Sequence, residues 1–387
     1  MKILFVNSVA GIGSTGRIAA QQCRELNAQG HTCVLAYGRE QANCEDIETY
    51  CIGTSLDYKL HGVATRLLDN HGFASAGATK KFLRWAEKFN PDVLWLHNIH
   101  GYYLHIGLLF TWIKSRPQMK VRWTLHDCWA FTGHCAYFDY AKCGKWQTGC
   151  GNCPQKKAYP GSLLLDNSIW NFRRKQELFT GVQDMTLISP SRWLKELAQK
   201  SFLGCYPVEV VYNTINTEIF HPTESDFREK HGLQGKKILL AVANIWEPRK
   251  GLRDLLELTD LLDERYHVVL VGRIPGEVPP LPDNVLWVSR TESTRELAQI
   301  YSAADVLVNP THEDNYPTVN LEALACGIPV ITYRTGGSPE SLDDTCGMVV
   351  DPNPQAILDA LKELNATRED CLRRSAVINK PVKTLLD

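Results

Sequence analysis

The sequence predicts an α/β protein built from two doubly wound domains that face a cleft. Three observations carry that expectation. Short strand-like apolar runs alternate with longer helix-period segments along the chain, the pattern of parallel sheets crossed by helices. The runs fall into two sets, and between them lies Tyr212–Pro222, YNTINTEIFHP, a polar stretch that ends in proline. At 387 residues the chain is also long for one compact domain, since domains hold roughly 100–200 residues each. The first domain is therefore placed at 1–211, a linker at 212–222 and the second domain at 223–387.

Each element has its own signal. In the first set the strands are read at Lys2–Val6, Cys33–Tyr37, Val93–Leu96, Val121–Leu125 and Met185–Ile188. Helical periodicity lies between them, as in Arg17–Ala28 and in Arg192–Phe202 behind the capping candidate Ser191. The second set has Ile238–Val242, Val268–Val271, Val285–Val288, Val306–Val308 and Val330–Thr332, nearly continuous apolar runs suited to strands buried on both faces. In open parallel sheets ligands sit at the carboxyl ends of the strands, so chemistry is sought in the loops that follow them.

Composition narrows the function. Hydrophobic residues make up 44% and charged residues 22%, an ordinary soluble globular balance. The net charge of −1 gives no argument for a nucleic acid partner. No apolar stretch approaches the ~18 residues of a transmembrane helix, and MKILFVNSVAG lacks the length and cleavage site of a secretory signal. A cytoplasmic protein is expected, with its thirteen cysteines reduced.

Gly11, Gly13 and Gly16 form GIGSTG after the first strand and before a helix, an arrangement that lets backbone N–H groups approach a pyrophosphate. A tight structural turn, a nicotinamide site with Glu40 or Arg39 at the ribose, and an approach to some other phosphate all fit it. A second cluster lies in an insertion near 128–160. Cys135, Cys143, Cys150 and Cys153 could close a tetrahedral structural zinc site, or stand as free thiols. Two helical segments, Lys80–Phe89 and Ile169–Phe179, pair aromatic faces with basic residues, which fits either core packing or peripheral contact with anionic lipid.

The string HEDNYPTVNLEALACGIPVIT, His312 to Thr332, is more specific. Asp314 falls in a loop after a strand, and Glu322, eight positions on, falls in the helix that begins near Pro317. Carboxylates at a helix mouth can accept sugar and ribose hydroxyls, and the free N–H groups of the first turn favour an anion. This string resembles the E-x7-E signature of retaining glycosyltransferases of family 4, with Asp314 in the place of the first Glu. PDVLWLHNIHGYY (Pro91–Tyr103), WTLHDCWAFTGHC (Trp123–Cys135), ISPSRWL (Ile188–Leu194), PRKG (Pro248–Gly251) and YSAADVLVNPT (Tyr301–Thr311) also look like family segments in the family's order. The resemblance covers most of the chain and is nearest to exopolysaccharide enzymes of the colanic-acid type.

It implies the GT-B architecture of two Rossmann-like domains and a donor site centred on Arg249, Lys250, Asp314 and Glu322. Arg249 and Lys250 match the basic pair set against the donor diphosphate. Many relatives carry a further Arg where this chain reads Ala243-Asn244, so Arg249 or Arg273 would have to substitute. His126 matches a histidine that contacts the donor sugar near the reacting carbon, and His97 another polar residue of the cleft. The implied reaction is retaining transfer from a nucleotide sugar to a saccharide or lipid-linked saccharide in cell-surface polysaccharide synthesis. No Asp-x-Asp motif marks a catalytic metal. The alternatives are a nucleotide-sugar 2-epimerase of the same fold, a nicotinamide-dependent dehydrogenase and a zinc-containing binding module.

Overall fold

A computed structural model describes residues 1–278 and 280–379. The chain separates into two compact units between Val211 and Tyr212. Unit 1 holds a seven-stranded parallel sheet in the order β3-β2-β1-β4-β5-β6-β7. Its strands are β1 (Lys2–Asn7), β2 (Thr32–Tyr37), β3 (Glu48–Cys51), β4 (Val93–Leu96), β5 (Lys120–Thr124), β6 (Met185–Ser189) and β7 (Val208–Val210). The helices that carry the chain between them are α1 (Gly13–Ala28), α2 (Ser55–Leu68), α3 (Ala76–Phe89), α4 (Ile106–Lys114), α5 (Ser168–Phe179) and α6 (Arg192–Lys200).

Unit 2 has six parallel strands in the order β10-β9-β8-β11-β12-β13. They are β8 (Lys237–Ile245), β9 (Tyr266–Arg273), β10 (Val285–Val288), β11 (Val306–Asn309), β12 (Val330–Tyr333) and β13 (Gly347–Val350). Its helices are α7 (Phe227–Lys230), α8 (Leu252–Thr259), α9 (Thr294–Ala303), α10 (Thr318–Ala325), α11 (Pro354–Glu363) and α12 (Arg368–Ile378).

Side-chain alternation makes two cores from each sheet. Along β1, Ile3 and Phe5 join one apolar cluster while Leu4 and Val6 join the other, because successive residues point to opposite faces. In β8, Leu239 and Ala241 face one side and Ile238 and Leu240 the other. Both faces are covered by helices, so the strands are apolar throughout their centres.

Residues 212–222 are not a bare connector. Ile215 and Phe220 are buried in the unit 2 core, and Ile215 N donates to Asn379 Oδ1 at 3.1 Å. The segment through Asn379 packs on unit 2, with Cys371 of α12 fully buried. Whether the tail crosses to the first domain concerns residues 380–387, which lie outside the described residues.

The sheet orders fix where loops converge. In unit 1 the chain reverses direction of winding between β1 and β4; in unit 2 it does so between β8 and β11. At such a switch point the loops leaving two adjacent strands diverge to opposite faces and leave a crevice at their carboxyl ends.

Candidate functional site

In unit 2 the loops at the switch point carry the basic pair and the first carboxylate. A short turn, Pro248–Lys250, follows β8, and Gly251 closes it at φ +77°. Only glycine fits there, because a Cβ would lie 2.1 Å from Pro310 O. That close approach brings the β8 loop against the β11 loop. His312 N donates to Arg249 O at 2.7 Å, and Arg249 Nη1 donates to Glu313 O at 3.0 Å. Lys250 Nζ meets Asp314 Oδ2 at 2.5 Å, while Asp314 Oδ1 accepts from Asn315 N at 3.0 Å. Asp314 therefore holds Lys250 in place, a role the sequence did not assign to it.

Burial lowers the Lys250 ammonium from its ordinary value, and the Asp314 carboxylate opposes that shift. Arg249 also pairs through Nε with Glu247 at 2.9 Å. Asn244, where the resemblance implies a cation, is an exposed residue inside β8, next to the register shift between Val242 and Ile245. Arg273 is exposed at the end of β9.

The second carboxylate lies deeper. Pro317 caps α10 rather than opening its first turn, and Glu322 is only 2% exposed. Tyr301 OH of α9 donates to Glu322 Oε2 at 3.0 Å. Around it runs a polar network that the sequence reading missed: Asn309 Nδ2 to Asn320 Oδ1 at 2.8 Å, and Asn320 Nδ2 to Ser338 and Ser341 Oγ at 3.2 and 2.9 Å. The signal was TGGSPE after β12. Gly336, at φ +54°, approaches so closely that a Cβ would lie 2.0 Å from Asp314 O, and Gly337 N donates to that same oxygen at 3.1 Å. Glu313, 2% exposed, was likewise passed over beside Asp314.

In unit 1 the loops after β1, β4 and β5 bring together the glycine turn and two histidines. Helix α1 begins at Gly13, so Gly13 and Gly16 lie within it rather than before it. Gly11, at φ +68°, is required by packing, since a Cβ there would sit 1.9 Å from Ala42 O. Gly16 packs closely on Val9, where a Cβ would lie 3.0 Å from its side chain. Gly13 faces open space, and among the described residues Ile12 gives the first N–H groups of α1 no side-chain cap. Arg39, weighed for a ribose, lies over the Tyr58 ring at 5.6 Å.

His97 Nδ1 and His126 Nε2 are 2.9 Å apart, with their rings stacked at 5.2 Å. Burial pushes His97 well below its ordinary value and His126 down to about 4, so both rings are neutral at pH 7. Next to them Asp127 accepts from Trp129 N at 2.9 Å and pairs with His100 Nε2 at 3.0 Å. Burial opposes the ionised form of Asp127, but His100 and these hydrogen bonds prevail and hold its carboxyl below the usual range.

The cysteines converge, though not as a ligand set. Cys135, Cys143, Cys150 and Cys153 line one small enclosure with His134. Among the described residues no three His, Cys, Asp or Glu side chains are grouped so as to hold a metal ion. The contacts described are those of the free thiols that the sequence also allowed. Cys135 and Cys153 interact as a hydrogen-bonded thiol pair, which lowers Cys153 to about 7, and Cys150 Sγ accepts from Gly133 N at 3.1 Å. His134 is engaged by Asp69 at 2.5 Å.

Each of the two helices weighed for lipid contact buries part of its marked face, while Ile169 and Trp170 of α5 stay about half exposed. In α3, Phe82, Leu83 and Ala86 are core residues. In α5, Phe172 and Lys175 are buried, with Lys175 Nζ donating to Trp129 O at 2.7 Å and Thr132 O at 3.0 Å. No helix among the described residues is long and apolar enough to cross a membrane.

Residues 15–219, more than half of the chain, match the family described as Glycosyltransferase Family 4. The chain belongs to that family. Residues 236–366 match the family described as Glycosyl transferases group 1, so the glycosyltransferase assignment spans both units. Among relatives, the chain is 28% identical over 268 residues to the putative colanic acid biosynthesis glycosyl transferase WcaC of Escherichia coli K12, covering 67% of this chain and 64% of that protein. It is 32% identical over 149 residues to the O-antigen chain mannosyltransferase B of Escherichia coli, covering 34% and 37%.

Among solved structures, sucrose-phosphate synthase from Thermosynechococcus elongatus superposes with a TM-score of 0.70 at 17% identity, covering 97% of this chain and 94% of that one. Anabaena Alr3699/HepE in complex with UDP gives 0.65 at 14% identity, covering 98% and 94%. With the two parallel sheets, these likenesses show the GT-B fold for this glycosyltransferase family member.

Proposed function

We propose that the protein is a retaining glycosyltransferase that moves a sugar from a nucleotide-sugar donor to a saccharide or lipid-linked saccharide acceptor in cell-surface polysaccharide synthesis. The observation that carries this reading is the arrangement at the unit 2 switch point, where Lys250 is aimed by Asp314 and Arg249 is tied to the Glu313 backbone. An ammonium has three N–H donors, and Asp314 engages one, leaving others for phosphate oxygens. Fixed cations there stabilise the charge that grows on a departing nucleoside diphosphate.

In the transfer, the bond from the anomeric carbon to the phosphate oxygen breaks and a bond from that carbon to the acceptor oxygen forms. The acceptor proton passes to the departing phosphate oxygen on the same face, which preserves configuration. Glu322 is assigned to the ribose hydroxyls and Asp314 to the sugar end. His126 is assigned to the donor sugar, and the Gly11, Gly13 and Gly16 turn to phosphate. The relatives support the product class through colanic acid and O-antigen. HepE, described with UDP-glucose, makes uridine donors the first to try.

The experiment is a thermal-shift screen of nucleotide sugars followed by turnover assays, since a ligand that binds only the native state raises the melting temperature. Lys250→Ala is expected to lower kcat by about 100-fold, the scale of one lost donor to transition-state charge, while binding of the free nucleoside is unchanged. Glu322→Gln is expected to lower kcat/KM by about 10–100-fold, the worth of a charged hydrogen bond, with the fold kept. Near-normal transfer in both variants with the stabilising donor would overturn the site assignment.

A further inference from the structure

Helix α2 is turned inside out. Its inward side is polar: His61 Nδ1 lies 2.9 Å from Ser75 Oγ, His61 Nε2 accepts from Gly72 N at 3.1 Å, and Thr65 is fully buried. Its outward side is apolar, with Leu56, Leu60, Val63 and Leu67 between 40% and 64% exposed. Spacings of four, three and four put these side chains on one stripe. A helix on an ordinary aqueous surface has the opposite polarity.

A second apolar run is pinned beside that stripe. Leu163 N donates to Arg66 O at 2.7 Å, Leu165 N to Leu67 O at 3.3 Å and Asn167 Nδ2 to Leu68 O at 2.6 Å. These bonds satisfy the last carbonyls of α2, while Leu163, Leu164 and Leu165 project outward at 67%, 65% and 48% exposed. Ile169 and Trp170 continue the patch at the start of α5, about half exposed. The backbone here is tightly held, so the exposure of the leucines is built into the fold. Contiguous apolar area of this kind marks an interaction surface.

We propose that this surface docks on an anionic lipid bilayer, its leucines entering the acyl boundary and its cations meeting the headgroup phosphates. Charge decides the occupant. Lys59 and Arg66 flank the stripe on α2 and Arg173 follows Trp170, and these three form no ion pair among the described residues. The nearby carboxylates are engaged inward or locally: Asp57 in the Thr54 capping box, Asp69 on His134, Asp166 on Ser168 and Cys153 N, and Glu177 on Arg174. The face presented to solvent is therefore apolar with a positive border, the combination that binds anionic interfaces. A symmetric pairing of two copies would set these cations against their own counterparts. The surface deepens the transferase reading by placing the protein where a lipid-linked acceptor resides, and it rests on that reading for this use alone.

The test is co-sedimentation of the full chain with vesicles of phosphatidylglycerol and phosphatidylethanolamine, or of phosphatidylcholine alone, without donor or acceptor. Binding is expected to the anionic vesicles and to weaken with salt. The Leu163→Glu, Leu164→Glu double variant and, separately, Leu60→Glu should each weaken it by about tenfold or more, since each removes a side chain from the acyl boundary. Circular dichroism should show their folds intact. Wild-type protein should also show a fluorescence blue shift on vesicle addition that Trp170→Phe diminishes. No binding to anionic vesicles, or equal binding by the glutamate variants, would overturn the proposal. So would a dimer, seen by sedimentation equilibrium, that the variants abolish without changing vesicle binding. Transfer to a soluble acceptor is expected to be unchanged in the variants, so a failure here leaves the transferase reading standing.

Discussion

The 2.9 Å bridge between His97 and His126 holds one proton, and its placement sets what His126 can do. Both rings are neutral at pH 7, so each carries one N–H. His97 Nε2 is buried with no hydrogen-bond partner among the described residues. A bare lone pair there is tolerated more easily than an unpaired N–H, so the His97 proton belongs on Nδ1, donated to His126 Nε2. The His126 proton then sits on Nδ1, which makes that atom a donor and excludes it as a base. His97 is accordingly a positioning residue. His97→Leu is expected to lower kcat by about tenfold, the worth of one hydrogen bond, with KM little changed. His97→Asn, whose amide nitrogen reaches the Nδ1 position, should restore most of the loss. Nitrogen chemical shifts of the imidazoles would report the tautomer directly, and a His126 protonated on Nε2 would contradict the assignment.

At the scale of elements, the turn from β8 into α8 aims the basic pair, and its geometry hangs on Gly251. Gly251→Ala forces a left-handed alanine, at about 1–2 kcal/mol, and also drives a Cβ toward Pro310 O. The expected outcome is a melting temperature several degrees lower, together with loss of transfer, because the β11 loop must retreat from Lys250. An unchanged melting temperature would show that the turn can relax. The central strands were legible in the sequence because burial on both faces leaves continuous apolar runs, as in Val93–Leu96 and Val306–Val308. The strands that were missed, Glu48–Cys51, Val208–Val210 and Gly347–Val350, lie at the edges or next to polar loops, where a short strand carries polar residues or glycine. The inverted helix α2 was illegible for a related reason. Its apolar stripe looks like any core-facing helix until His61 and Thr65 are seen buried instead. For the candidate site, the placement of Arg249 and Lys250 in a turn after a strand and of Glu322 in a helix was legible from the matched segments. The Lys250–Asp314 pairing was not, because it depends on the adjacency of β8 and β11 rather than on sequence distance.

Across the whole molecule, titratable burial is uneven, and this gives the two units different responses to acid. Unit 1 buries His61, His71, His97 and His126 in neutral form: burial depresses each below 6.5, His61 and His126 to about 4. His71 is pushed further by His100, His61, Lys175 and His134, so protonating one ring makes its neighbours harder to protonate. In the unfolded chain these histidines take up protons at their ordinary value, while in the fold they do so only at lower pH. Above pH 6.5 both states are neutral and the shifts have no effect on stability. Below it the unfolded state binds more protons, so stability falls by about 1.4 kcal/mol per pH unit for each such histidine until its folded value is reached. His134 acts in the opposite sense. Asp69 raises its value against the effect of burial, so its contribution grows as pH falls and is fully present below 6.5. One opposing histidine does not offset four. In unit 2 the one histidine with a resolved shift is the part-buried His267. Unit 1 should therefore open first between pH 6.5 and 4, while unit 2 keeps its protection. Hydrogen exchange read by mass spectrometry at pH 7 and pH 5, corrected for intrinsic rates, would show the loss in β1, β4 and β5 before β8 and β11. Equal loss in both units would mean that acid acts through carboxylates shared across the fold rather than through these histidines.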